Sequence, residues 1–221
     1  MVSQDKRAAA SRDRLLAAAA AEFAARGFAG AKVDRIATRA RLNKAMIYYH
    51  FDNKAALYRE ILVGVFTPIA GAVSALPDEG TPEDQVRQFV RAVAREAWSR
   101  PHFAPMWLRE MADGGGHIDA KVVGQLRRVL QALHGIITRG VARGVFNPVH
   151  PLIVQLGIVG PLLMFAVSAP ARQRLARHGE QMASPERDDV LKHIEAAAVG
   201  ALMRDRPKAQ PARPSARRQR T

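Results

Sequence analysis

The spacing of apolar residues along the chain predicts helices. An alanine-rich segment from Ser11 to Arg26 carries apolar side chains at helical spacing and stops at Gly27. The next segment, VDRIATRA, places apolar residues at positions i, i+3, i+4 and i+7, which gives one apolar stripe that needs a partner. After the interruption RLN, the segment KAMIYYHF resumes the pattern.

The rest of the chain gives only helical patterns as well, with a kink expected at Pro68. No stretch alternates apolar and polar residues as a half-buried strand does, so we predict an all-α fold. The further helices are predicted at residues 53–76, 81–100, 101–112, 117–143, 151–168 and 184–204, with a polar, partly helical connection before the last one.

The stretch NKAMIYYHF indicates how the third helix is oriented. At 100° per residue, Ile47 and Phe51 fall on one face and Ala45 and Tyr49 on the opposite face. The apolar pair can pack against the preceding helix and against Leu42 in the turn. A helix, a short turn and a second helix around one small apolar centre form a helix-turn-helix.

The outward face of this third helix is better explained by a DNA groove than by solvent. A short side chain at Ala45 permits close approach to base edges, and Tyr49 can offer its hydroxyl to a phosphate and its ring to a thymine methyl. An ordinary helical hairpin with exposed tyrosines is the alternative. The residues predicted to contact DNA are Lys44, Ala45, Met46, Tyr48, Tyr49, His50 and Lys54.

Charge along the chain supports a polyanion-binding head on a neutral body. The net charge is +14, with 12 basic and 6 acidic residues in 1–60, 15 and 13 in 61–203, and 7 and 1 in 204–221. A solvated surface with a basic tail gives the same pattern.

The chain has no cysteine, which excludes disulfides and thiolate chemistry, and its polar N-terminus lacks a signal peptide. We therefore expect a cytoplasmic protein.

These residues carry a resemblance to a known family. The run GFAGAKVDRIATRARLNKAMIYYHFDNKAALYREIL, preceded by RDRLLAAAAAEFAAR, resembles the DNA-binding domain of tetracycline-repressor (TetR) type transcriptional regulators over roughly residues 11–62. The resemblance implies that the third helix enters the major groove and that Lys54 contacts the DNA backbone. It also implies a homodimer, a helical ligand domain of variable sequence, and release of DNA when a small molecule binds.

Two positions depart from the family pattern. Lys32 stands where the family usually has a Ser or Thr at the start of the second helix, so it loses the side-chain cap but can add a phosphate contact. We therefore include Lys32 among the DNA-binding residues. Arg41 stands where the turn usually has Gly, so it must adopt the backbone angles of the turn at some strain.

The predicted domain organisation follows from these segments. We expect a basic N-terminal arm at 1–10, the helix-turn-helix domain at 11–52 and a helical ligand-binding and dimerisation domain at 53–206. A Pro/Ala/Arg-rich tail at 207–221 has no core residue and is predicted to be disordered.

The segment from Pro151 to Ala171 has no charged residue and is long enough to be considered as a membrane span. Its prolines and glycines favour burial in protein instead. One face of this helix can pack on its own domain, while the other face, beside the final helix, meets a second copy of the chain. The resulting homodimer would read a palindrome whose half-sites lie roughly 34–36 Å apart. The predicted interface residues are Leu156, Val159, Leu163, Val190, Ile194, Ala198 and Ala201.

A cluster of aromatic and methionine residues suggests a pocket for a hydrophobic effector, although each residue taken alone suits a plain core. Arg109, Glu110 and His117 are the nearest candidates for polar contacts to the ligand. The predicted pocket residues are Phe66, Phe89, Trp98, Phe103, Met106, Trp107 and Met111.

Two other function classes stay open. An enzyme is disfavoured because no hydrolase, metalloprotease, phosphate-loop or dinucleotide motif occurs, and a glycine-rich break explains the segment from Asp113 to His117 better than a metal loop does. We expect neither a cofactor nor a metal. A nucleic-acid binder without sequence preference would show steep salt dependence and no preferred site.

Overall fold

The computed structural model describes residues 2–177 and 185–204. These residues form helices, and their one β-type pairing is the isolated bridge between Phe146 and Met203. The all-α prediction is confirmed. The helices are α1 (Val2–Gly30), α2 (Val33–Ala40), α3 (Ala45–Phe51), α4 (Lys54–Ser74), α5 (Pro82–Trp98), α6 (Phe103–Ala112), α7 (Ala120–Ala142), α8 (Pro151–Val167), α9 (Ala169–Ala176) and α10 (Arg187–Leu202).

The first helix is longer than the sequence pattern suggested. It begins at Val2, so the segment predicted as an arm continues the helix, because residues 6–10 (KRAAA) are themselves strong helix formers. At Gly27 the angles φ 68° and ψ 176° are not helical, so the segment from Ser11 ends there as predicted and a short helical segment follows it to Gly30. The tail predicted at 207–221 lies outside the described residues.

Caps and turn residues set most of the other boundaries. Asn53 accepts the backbone N–H of Ala56 at 2.8 Å to open α4, and Thr81 accepts that of Asp84 at 3.1 Å to open α5. The kink expected at Pro68 does not interrupt α4, which is helical on both sides of it. Part of the connection predicted after residue 168 is the separate helix α9.

Helices α1 to α3 form a small head around one apolar centre. Phe23, Ile36, Ile47 and Phe51 are buried there, as their helical spacing predicted. α4 begins directly behind α3 and packs its buried residues against α5 and α7 in the body. One helix therefore belongs to both the head and the body.

The body is held together across long sequence distances. Arg91 of α5 donates two hydrogen bonds to the carboxylate of Glu195 in α10, at 2.7 and 2.9 Å. The ring of Phe146 is 1% exposed and lies against Gly140 of α7, while its bridge to Met203 ties the end of α10 to the same place. These contacts fix α10 on α5 and tie its end to the segment that follows α7.

The residues predicted to line an effector pocket do not surround one cavity. Phe66, Phe103 and Trp107 pack ring against ring, with centroids 4.7 to 6.3 Å apart. Trp98 instead contacts α8, where its Nε1 donates to the Leu162 carbonyl at 3.2 Å. Phe89 is fully buried, and Met111 is 43% exposed. Most residues of this cluster are therefore closely packed core residues.

Three of the residues predicted for the dimer interface are also core. Leu163 of α8 and Ile194 and Ala198 of α10 are buried within the single chain, so they cannot form its outer surface. The same two helices expose other positions. On α8, Ile153 and Leu156 are 64% and 63% exposed, although both are large apolar residues.

Among the described residues, one helix is long and apolar enough to cross a membrane, or two spans if a bent pair of helices is counted as one. One is α4, and the other is the pair α8 and α9 if the 53° bend between them is disregarded. Half of the apolar window of α4 is buried inside the protein. A core helix of a folded domain meets the same criteria, so length and composition alone do not indicate a span.

Candidate nucleic-acid interface

The outer face of α3 is an exposed aromatic surface. Tyr49 is 74% exposed and Tyr48 48% exposed, and Ala45 beside them is also exposed. On the opposite face, Ile47 and Phe51 are buried in the centre of the head. Ile47 and Phe51 provide the core contacts of this short helix, and the two tyrosines are not needed for them. The tyrosine rings can therefore contact a partner.

The turn before α3 is built as the sequence suggested. Arg41 adopts the left-handed conformation, with φ 55° and ψ 45°, that glycine takes most easily. The backbone N–H of Arg41 bonds to the Thr38 carbonyl and that of Leu42 to the Ala37 carbonyl, both at 3.0 Å. Asn43 then accepts the backbone N–H of Ala45 at 2.9 Å and opens α3.

A buried carboxylate from α1 lies at the start of α2, where Lys32 provides no side-chain cap. Lys32 makes no side-chain cap, but its backbone N–H points to Glu22 Oε1 at 3.4 Å. Glu22 is 6% exposed and accepts a shorter bond, 2.6 Å, from Arg35 Nε. Burial works to raise the pKa of Glu22, but these hydrogen bonds and the nearby Arg26 outweigh it and lower the pKa.

Lys44 already has a partner in the absence of DNA. Its Nζ lies 2.9 Å from Oδ1 of Asp34, and both side chains are well exposed. The hydrogen bond between them raises the pKa of Lys44 and lowers that of Asp34. A phosphate approaching Lys44 therefore competes with Asp34.

His50 and Lys54 are held by other parts of the head. His50 Nε2 lies 2.9 Å from the hydroxyl of Ser11, a residue of α1 that is 6% exposed. Lys54 Nζ donates to the Ala31 carbonyl at 2.9 Å and lies 4.5 Å from the centre of the Phe28 ring. Both side chains remain partly exposed.

The ring that supports Lys54 also contacts the body. The centroid of Phe28 lies 3.9 Å from that of His117 and 5.3 Å from that of Tyr58. Glu110, 2% exposed, accepts the backbone N–H of His117 at 2.7 Å and lies 3.1 Å from its Nδ1. Burial, followed by the charge and hydrogen bond of Glu110, raises the pKa of Tyr58. We call Phe28, Tyr58, Glu110 and His117 the junction cluster.

Sequence reasoning assigned Glu110 and His117, together with Arg109, to contacts with a ligand. In the structure they connect the head to the body, and Arg109 Nη1 donates to the Ala24 carbonyl near the end of α1. Glu22 and Phe28 were missed as supports of the interface. The absent side-chain cap at Lys32 marks the start of α2 in the sequence, but it does not indicate that Glu22 accepts the backbone N–H of Lys32.

Comparison with known proteins matches both parts of the chain to family models. Residues 15–61 match the model described as bacterial regulatory proteins, tetR family. Residues 79–164 match the model described as tetracyclin repressor-like, C-terminal domain. The first match contains α2, α3 and the start of α4.

Individual relatives agree with these matches. The HTH-type transcriptional repressor NicS of Pseudomonas putida is 29% identical over 147 residues, which cover 62% of this chain and 66% of NicS. The HTH-type transcriptional repressor SCO4008 of Streptomyces coelicolor is 43% identical over 70 residues, 32% of this chain and 36% of that protein. The crystal structure of AibR is similar in fold, with a TM-score of 0.67 and 19% identity over 85% of this chain and 97% of AibR.

Proposed function

Because the chain belongs to the tetR family of bacterial regulatory proteins, we propose that it is a cytoplasmic transcriptional repressor. It binds a palindromic operator as a homodimer and leaves it when a small hydrophobic molecule binds. The family models and the relatives describe transcriptional regulators, not enzymes.

The observation that carries this proposal is the exposed face of α3. Tyr49 is 74% exposed on a helix whose other face is fully occupied by Ile47 and Phe51. In our proposal α3 lies in the major groove, with Ala45 close to the base edges and Tyr49 reading them. Met46 and Tyr48 flank these contacts.

Four basic residues hold the phosphates around that groove. Lys32 and Lys54 lie at the helix starts on either side of α3, and Lys44 and His50 lie at its two ends. Phosphate contacts of this kind orient the protein on the duplex without reading its sequence.

Selection of bound sites from random DNA tests the proposed function. A single palindromic sequence is the expected result, and recovery of unselected DNA would favour a binder without sequence preference.

We propose that the homodimer forms through the exposed apolar faces of α8 and α10. Leu152, Ile153, Leu156 and Met164 of α8 are 44% to 64% exposed, which is a large apolar surface for a free helix. Beside them α10 exposes small residues that permit close helix packing; they are Ala196, Ala197, Gly200 and Ala201. Val159 and Val190, both half-buried, border this surface.

A charge placed in the centre of this surface tests the dimer. Leu156→Glu is expected to give monomers in sedimentation equilibrium and to weaken operator binding, because two linked heads read the palindrome together. Val123→Glu, at a 40% exposed position on α7, is the matched control and should stay dimeric. A dimeric Leu156→Glu variant would place the interface elsewhere.

Regulation in this proposal acts through α4. We propose a domain boundary at Asn53, so that α4 starts at the head and ends deep in the body. A ligand that favours one position of α4 changes the separation of the two heads and hence operator affinity. AibR, which shares the fold, has been crystallised in complex with isovaleryl coenzyme A and operator DNA.

A further inference from the structure

An apolar cleft lies where the head meets the body. It has a volume of about 310 Å³, at the lower end of the range for small-molecule sites. Its walls come from both parts of the molecule, with α1 on one side and α4, the segment 99–102 and the start of α6 on the other. The charged residues of the lining are Glu60 of α4 and Arg100. The apolar lining includes Leu16, Ala20, Ile61, Val65, Phe103 and Met106.

Gly64 keeps part of this cleft open. It lies in the middle of α4, where glycine destabilises a helix relative to alanine. A Cβ added at Gly64 would meet no atom within 4 Å, so no packed neighbour requires a glycine there. Gly71 has equally open surroundings two turns further along the same face of α4, but it does not line the cleft.

A cationic groove adjoins the cleft. Arg14, Arg39 and Arg41 converge on a groove of about 480 Å³, whose floor is made of small alanine side chains. Within the described part of the chain, none of the three guanidinium groups has an ion pair or a side-chain hydrogen bond. Elsewhere in the head, Arg12 and Arg35 each pair with a glutamate.

His102 lines both the cleft and the groove, so the two share a border. On α1 the border falls between two consecutive residues: Leu16 lines the cleft and Ala17 lines the groove. Burial, followed by the charge of Arg39, lowers the pKa of His102. A neutral imidazole at this border leaves the positive charge of the groove to the arginines.

We propose that the cleft and the groove together bind an amphipathic anion. Its apolar chain lies beside Gly64, and its carboxylate or phosphate lies among Arg14, Arg39 and Arg41, because guanidinium groups bind both oxyanions through paired hydrogen bonds. We take this anion to be the effector of the repressor, and that assignment rests on the proposed function. It moves the site away from the aromatic cluster, of which only Phe103 and Met106 line the cleft.

The position of the site explains how an occupant acts on DNA binding. One wall, α1, belongs to the head, while the opposite walls belong to α4 and α6. A chain inserted between them sets their separation, so its affinity depends on where the head lies relative to the body. The bound and unbound positions of the head then differ in operator affinity.

Calorimetry on the full chain without DNA tests the site. We expect decanoate and decyl phosphate to bind, and 1-decanol, which has the same chain without the charge, to bind at least about tenfold more weakly. The tighter of the two anions identifies the natural headgroup as a carboxylate or a phosphate. Gly64→Leu fills the cleft and should weaken binding at least about tenfold, whereas Gly71→Leu should bind like wild type.

A second variant tests the groove without touching the packed cleft. Arg14→Ala combined with Arg39→Ala is expected to weaken binding of both anions at least about tenfold and to leave decanol unchanged. Arg127→Ala, at another exposed arginine without an ion pair on α7, is the matched control. Both arginines of the double variant are exposed, so the variant stays folded even if Gly64→Leu does not.

Equal binding of decanol and decanoate, or wild-type binding by the double-arginine variant, would overturn the proposal. Operator affinity is measured separately with the selected DNA. If the anions bind as expected but operator affinity does not change, the site is correct and its regulatory role is wrong. If no DNA sequence is preferred, the proposed function fails while the calorimetric result stands.

Discussion

Replacing Gly140 by alanine should destabilise the protein, although alanine is the better helix former. Gly140 lies within α7, and a Cβ there would stand 2.0 Å from Cδ2 and 2.6 Å from Cε2 of Phe146. The ring is 1% exposed, so it cannot move aside without opening the core. The backbone N–H of Phe146 also bonds to the Gly140 carbonyl at 3.2 Å, which holds the ring in place.

The magnitude follows from two opposing terms. Alanine in a helix gains about 1 kcal/mol over glycine. Overpacking costs about 1–3 kcal/mol, and displacing a buried phenylalanine entirely costs about 3–5 kcal/mol. A Cβ 2.0 Å from the ring requires the ring to be displaced, so the expected net loss for Gly140→Ala is about 2–4 kcal/mol, which lowers Tm by about 4–16 °C in a chain of this size.

Urea and thermal unfolding followed by circular dichroism measure this difference. The matched control is Gly124→Ala on the same helix, where a Cβ would meet no atom within 4 Å. That variant should gain about 0.5–1 kcal/mol from helix propensity alone. A Gly140→Ala protein as stable as Gly124→Ala would show that the Phe146 ring does not occupy the site described here.

Three further substitutions test the candidate interface. Tyr49→Ala should weaken operator binding about 5- to 150-fold, the value of one base contact, without lowering Tm, since the ring is 74% exposed; wild-type affinity in a gel-shift titration would contradict its role. Asp34→Asn releases Lys44 and should tighten binding about two- to fivefold at low salt, whereas Asp188→Asn on α10 should not. Glu22→Gln should lower stability by about 1.5–3 kcal/mol in thermal unfolding at neutral pH. The pKa of Glu22 is lower in the folded state than in the unfolded state. The stability that its carboxylate contributes is therefore fully present above the pKa of the unfolded state and is lost as the pH falls through the pKa of the folded state. Variant and wild type should then be equally stable in acid.

The third helix could be predicted from sequence because its two faces differ sharply. Ile47 and Phe51 are the only apolar pair that one turn can bury together, and Tyr49 then has to point outward. The left-handed angles of Arg41 were also expected, because the resemblance places Arg41 where the family turn usually has Gly. Both inferences depend on residues within a few positions of each other.

The rotation of α8 could not be predicted in the same way. A helix that is apolar on every side has no polar face to indicate which side meets the core, and Leu163 was therefore assigned to the wrong surface. The alanines of α10 pose the same difficulty, and Ala198 faces the core while Ala197 is exposed. Tertiary packing decides between such positions, through contacts of α8 with α5, α6 and α7 and of α10 with α5 and α8.

Long-range contacts limited what the sequence could predict about the proposed effector site. Arg109 bonds to a carbonyl 85 positions earlier in the chain, and no local pattern indicates this. The residues that line the junction cleft are likewise spread over α1, α4 and α6 and have no common spacing. Aromatic composition pointed to the body core, which the structure fills with rings.

The junction cluster sets a rule for building hybrid regulators from this chain. A transplanted DNA-reading module cut at Asn53 would keep Phe28 but lose the rings of Tyr58 and His117 that contact it, together with Glu110, which bonds to His117. It would also lose Lys54, whose Nζ lies over the Phe28 ring and donates to the Ala31 carbonyl. A working graft has to carry the first turn of α4 and reproduce the α6–α7 corner of the recipient, because the contacts around Phe28 come from both parts of the molecule.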